Sequence, residues 1–137
     1  MKSSQTFSLN IECYQYTWNI HVLQNAVKNK NIEAWKIPES FLKEWTWGED
    51  KIEMHLNRCL DADLNYPIIV WDNIIVDGCH RVVKSLALGK KEILSKQIID
   101  MPPPCIITDV KLYTDKENIR HTFNDIVILV KEKLKGM

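Results

Sequence analysis

Apolar positions along this chain follow two rhythms, which predict short strands alternating with helices. Phe7, Leu9, Ile11 and Cys13 alternate with polar neighbours, the two-residue period of a half-buried strand. The spacing then lengthens. Trp18, Val22 and Ala26 form a stripe with Leu23 and Val27 beside it, predicting a helix over 18–28 that leaves at Asn29 and Asn31. Residues 34–37 read as a strand stopped by Pro38. The stretch 39–48 carries Phe41, Leu42, Trp45 and Trp47 and ends in Gly48. Residues 49–60 predict a helix, with acidic residues in the first turn and Ile52, Leu56 and Leu60 on one side.

Residues 61–66 form a polar connector to a near-continuous apolar run, Pro67 to Trp71, which fits a buried strand. Asp72-Asn73 is a pair that tolerates positive φ, and Ile74 to Val76 returns as the partner strand of a hairpin. A helix follows from about Cys79 to Leu88. Val82, Val83, Leu86 and Ala87 are expected inward, Arg81, Lys84 and Ser85 outward, with Gly89 as the C-cap. Residues 93–99 predict a strand, and Pro102-Pro103-Pro104 an extended exit. A last helix is expected over about 115–135. Thr114 to Glu117 resembles a capping box, and Ile119, Phe123, Ile126, Val127, Val130 and Leu134 form its stripe. Its simplest role is to cover a sheet face; a dimer interface is the alternative.

The totals narrow the class. At 137 residues with 45% apolar and 26% charged, the chain supports a single α/β (α+β) domain over 1–137, with its recognisable core at 49–104. Eighteen basic and eighteen acidic residues cancel, so a broad nucleic-acid footprint is not expected. Cys13, Cys59, Cys79 and Cys105 have no zinc-type spacing. With no signal-like start and no apolar run of membrane length, the expectation is a soluble cytoplasmic protein without a membrane partner.

The chemistry concentrates where the hairpin meets the helix, at Asp77-Gly78-Cys79-His80-Arg81. A glycine lets a ligand approach the backbone, and a helix start offers unpaired N–H groups to an anion. Arg81, one of only three arginines, adds a fork suited to phosphate. Asp77 is expected to cap the helix, or else to hold a metal or orient His80 beside the bound cofactor. Cys79 is expected to have a lowered pKa there. Lys84, one turn on, could reach a phosphate. His55 and Arg58 share a face of the preceding helix and could join the pocket, and Asp63 could act as a general base or hold Mg²⁺. Trp35, Trp45 and Trp47 read first as core and second as a base-stacking wall.

From His55 to Pro104 the chain resembles the ParB/sulfiredoxin superfamily. The match runs through Ala62-Asp63-Leu64, Tyr66-Pro67-Ile68, the hairpin, the DGCHR turn and the helix ending at Gly89. The resemblance implies a small mixed sheet with packed helices and a phosphate-binding strand-turn-helix. By it, Gly78, His80 and Arg81 are phosphate-contacting positions and Cys79 the sulfiredoxin cysteine. The expected ligand is a nucleoside di- or triphosphate of the ATP or CTP type with Mg²⁺, and NTP hydrolysis or phosphotransfer is the accompanying chemistry. The single arginine in this box and the lack of a following helix-turn-helix argue against a ParB-style DNA clamp. Two alternatives stand beside this reading: a non-catalytic module binding a protein or a nucleic acid, and a sulfiredoxin-like thiol enzyme using Cys79. Monomer and homodimer are both open.

Overall fold

Ile68, Ile69 and Val70 are all buried, so the strand that carries them has protein on both faces. It is β5 (Ile68–Trp71) of a computed structural model that describes residues 5–11, 14–109 and 120–136. Its sheet also holds β3 (Glu33–Lys36), β6 (Ile74–Asp77) and β7 (Glu92–Ile98), in the order β3-β7-β5-β6. β5 is parallel to β7 and antiparallel to β6, and β3 is antiparallel to β7. The fold is therefore mixed α/β, as expected.

Alternation along β5 sends its side chains into two cores. Ile68 and Val70 face a helical layer of α2 (Ser40–Glu44), α3 (Ile52–Asp61), α4 (Cys79–Ala87) and α5 (Phe123–Lys135), where Leu56, Val82, Val83 and Phe123 are buried. Ile69 faces the other way, with Val76 and Ile98. It meets Phe7 and Trp18 of the antiparallel pair β1 (Thr6–Ile11) and β2 (Tyr14–Asn19), and Leu23 of α1 (Ile20–Ala26). After the prolines the chain returns to β2. Trp18 Nε1 donates to the Pro102 carbonyl at 2.7 Å, and β8 (Ile106–Asp109) pairs with β2. A small separate sheet joins β4 (Thr46–Gly48) to β9 (Arg120–Thr122). Buried residues before position 49 include Phe7, Trp18, Leu23, Ile37 and Phe41.

Several predicted elements change at their edges. The helix expected over 18–28 spans only Ile20–Ala26, because Trp18 belongs to β2 and sits opposite Phe7 in the register. Asn19 ends the strand and caps the helix by accepting from the His21 N–H at 3.2 Å. Val22, placed on the apolar stripe by its spacing from Trp18, is exposed. Residues 39–48 divide into α2 and β4, and a 3₁₀ turn, Glu49–Lys51, precedes α3. Ser85 is buried rather than outward, since α4 is covered by α3 and α5 as well as by the sheet. α5 packs on α2, α3 and α4, and its buried residues Phe123, Ile126 and Val130 share one core with Ile68 and Val70 of the sheet. It begins at Phe123, where Thr122 Oγ1 accepts from the Asp125 N–H at 3.2 Å; the capping box at 114–117 and Ile119 lie outside the described residues, as does Cys13.

The turn chemistry matches the sequence closely. Asp72 and Asn73 have φ of 47° and 63°, as a two-residue hairpin requires. Gly89, at φ 82°, closes α4 with Gly89 N–H donating to Leu86 O and Lys90 N–H to Ser85 O, both at 3.0 Å.

Candidate functional site

The site is organised by Gly78, which lies between the end of β6 and the start of α4 at φ 108°. Its carbonyl accepts the Val82 N–H at 3.0 Å, the first helical bond, and no side chain among the described residues caps the turn. The earlier amides of α4 therefore lack intrahelical partners. Asp77 does not cap this helix, contrary to expectation. Its Oδ2 instead accepts from Arg81 Nη2 at 3.3 Å, while Arg81 Nη1 donates to Pro67 O at 2.8 Å and Tyr66 O at 3.2 Å. The Arg81 guanidinium thus clamps the approach to β5 against α4. It lines a pocket of about 240 Å³ with Tyr66, Pro67 and Asp77.

A larger groove of about 600 Å³ opens on the other side of the turn. Gly78, Cys79 and His80 border it, Trp45 and Trp47 supply aromatic surface, and Lys51 and Arg58 supply positive charge. Of the predicted residues, Asp77, Gly78, Cys79, His80 and Arg58 line this groove; Arg81 does not. Lys51 was not singled out from the sequence. A signal was present: Lys51, His55 and Arg58 recur at helical spacing, so one face of α3 and its leading turn carries all three.

His55 is joined to the groove through His80. His55 Nδ1 and His80 Nε2 are 2.9 Å apart, a distance that places one N–H between the rings. Trp47 stacks on both imidazoles, with ring centroids 4.1 Å from His55 at 5° and 4.9 Å from His80 at 20°. Phe123, at 4.2 Å, holds the indole from the core side. Burial, then the positive charge of Arg58 and Lys51, lowers the His55 pKa against an opposing pull from Asp50. Burial, followed by His55, Arg58 and Arg81, lowers that of His80 to about 4.

Three sequence expectations are redirected. The Cys79 thiol is pushed up to about 12, chiefly by burial and further by Asp77 and Cys59, with Arg81 opposing, the reverse of the lowering its helix position suggested. Lys84 Nζ donates to Leu60 O and Ala62 O at 2.8 Å each, bracing the end of α3 instead of reaching the turn. Asp63 is exposed, and its Oδ1 accepts from the Asn65 N–H at 3.0 Å, which fixes its own connector. Among the described residues a single carboxylate borders the groove, Asp77, already paired with Arg81. Among the described residues no group of three or more His, Cys, Asp or Glu converges as a metal site. Asp63 lies outside the residues that line the groove.

No helix among the described residues is long and apolar enough to cross a membrane. Comparison with protein-family models, curated proteins and solved structures finds no match to this chain.

The lowered histidines make stability depend on pH. An unfolded chain takes up protons near the ordinary value of 6.5, whereas folded His80 resists protonation until about 4. The unfolded state therefore binds more protons in that interval, and stability falls as pH drops from about 6.5 towards 4. The His80 contribution is on the order of 2 kcal/mol after allowance for solvent screening at a partly exposed ring. Urea midpoints at pH 7 and pH 4.5 should show the loss, and His80→Gln should remove part of it. An identical pH dependence in wild type and variant would contradict the buried neutral ring.

Proposed function

We propose that this chain binds a nucleotide in the groove beside Gly78, with phosphates toward Lys51, Arg58 and the first amides of α4, and the base toward Trp45 and Trp47. The reading rests on that groove: two cations and a helix start converge beside two indoles. Among the described residues neither Lys51 nor Arg58 makes an ion pair, so their charge is available to a guest. The volume of about 600 Å³ suits a small molecule. The near-zero net charge suits a compact anion better than a long polyanion. The resemblance to the ParB/sulfiredoxin superfamily implies phosphate contact at the same turn. The cation proposed here is Arg58, because Arg81 is occupied by two carbonyls and Asp77.

Thermal melts with ATP, CTP and GTP, with and without Mg²⁺, test the proposal. A native-state ligand at a hundred times its Kd adds about 2.7 kcal/mol, which is roughly 10 °C for a domain of this size. Arg58→Ala should abolish most of the shift while leaving the unliganded melting point nearly unchanged. Arg81→Ala should lower the unliganded melting point, losing about 1–3 kcal/mol by freeing the Tyr66 and Pro67 carbonyls, and retain the ligand shift. No shift with any nucleotide removes the reading in favour of a protein- or nucleic-acid-binding module. A shift that survives Arg58→Ala but disappears in Arg81→Ala moves the site to the other side of the turn.

A further inference from the structure

We infer that the His55–His80 pair is the proton acceptor for hydrolysis of a nucleoside triphosphate held in the groove, a step that rests on the nucleotide reading above. The two rings share one N–H across 2.9 Å. When His80 Nε2 donates to His55 Nδ1, the lone pair remaining on His80 is at Nδ1, and His80 is the ring that borders the groove. Among the described residues, neither His80 Nδ1 nor His55 Nε2 makes a hydrogen bond to a protein group. The pair therefore has a free nitrogen at each end and a proton in the middle.

This arrangement passes a proton from the groove side outward. A proton arriving at His80 Nδ1 makes His80 an imidazolium. The shared proton then shifts to His55 Nδ1, and His55 releases its Nε2 proton to water. Trp47 keeps the rings in one orientation by stacking on both, and Phe123 buttresses the indole. In the chemical step, a water oxygen bonds to the terminal phosphorus. The bond from that phosphorus to the bridging oxygen breaks, and its electron pair leaves with the nucleoside diphosphate. The water proton goes to His80 Nδ1, and nothing is oxidised or reduced. Lys51, Arg58 and the α4 amides face the negative charge that gathers on the leaving group.

The charged surroundings favour a base that is neutral before substrate arrives. Arg58, Lys51 and Arg81 oppose protonation of the pair and Asp50 favours it, while His121 lies across from Trp47 on β9. A bound triphosphate offsets those cations, so the pair gains proton affinity when its substrate is in place. His80 is the catalytic residue; His55 is a positioning and relay residue.

The test is phosphate release from ATP, CTP and GTP with Mg²⁺ by the full chain, alongside the thermal melts. His80→Gln should cut kcat about 100-fold with KM unchanged, the lower end for loss of a general base. His55→Gln should cause a smaller loss and shift the pH dependence of kcat, because its effect passes through the His80 ring. Nucleotide-induced stabilisation without phosphate release overturns this inference and leaves the binding reading intact. Release that is unaffected by His80→Gln also overturns it. Should His80→Gln fail to fold, an unchanged pH profile in His55→Gln does the same. Absence of any nucleotide-induced shift overturns the binding reading and this inference together.

Discussion

Gly78→Ala is expected to destabilise the protein by about 3 kcal/mol, with the groove distorted in whatever fraction still folds. Two effects add. At φ 108° an L side chain is strained, which costs about 1–2 kcal/mol. A Cβ there would also stand 2.5 Å from Ile68 Cγ2 and 2.9 Å from Ile68 Cβ, on a fully buried strand residue that has nowhere to go. Overpacking of this kind costs about 1–3 kcal/mol. Gly89→Ala separates the two. Gly89 has φ 82° but nothing within 4 Å of its Cβ position, so alanine there should cost only the backbone part, about 1 kcal/mol. Equal losses in denaturant melts of the two variants would mean that the close approach of Ile68 to the turn is wrong.

Phe123→Ala should cost about 4 kcal/mol, the range for emptying a fully buried phenylalanine site. Phe123 is 1% exposed and touches three other aromatic rings, with centroids 4.7 Å from Phe41, 4.2 Å from Trp47 and 6.4 Å from Trp45. Its removal leaves a cavity directly behind the groove wall. The variant should lose stability, and Trp47 should also lose its hold on the two histidines, so the acid-sensitive interval described above should narrow. Ile128→Ala on the same helix serves as the reference, since Ile128 is half exposed and should change stability by less than about 0.5 kcal/mol. Comparable melting points for the two variants would show that α5 does not support the site.

What could be read from sequence, and what could not, divides along the range of the interactions. The hairpin at 72–73 and the close of α4 at Gly89 depend on backbone conformations that particular residues specify locally, and both were legible. The strand carrying Trp18 was not. A tryptophan four residues before Val22 satisfies a helical period, and only the antiparallel pairing with Phe7 decides for the strand. The same limit applies in the site. That Gly78 and His80 lie at a helix start followed from apolar periodicity around them. The destination of Arg81 depended on carbonyls fourteen and fifteen residues away, and that of Lys84 on the end of α3. Helix position alone argued for an activated Cys79, but packing around the thiol outweighs it. The neighbour relation of His55 and His80, twenty-five residues apart, had only the face shared by His55 and Arg58 as a hint.

Trp47 comes from β4, and among the described residues β4 is paired only with β9, which leads straight into Phe123. The DGCHR segment and the shelter around it are therefore encoded at distant addresses in the chain. Grafting that short segment onto another scaffold would transfer a helix start and its imidazole without the lid that orients it, and divergence in the region around residue 120 could retune the chemistry while every residue of the turn stayed the same.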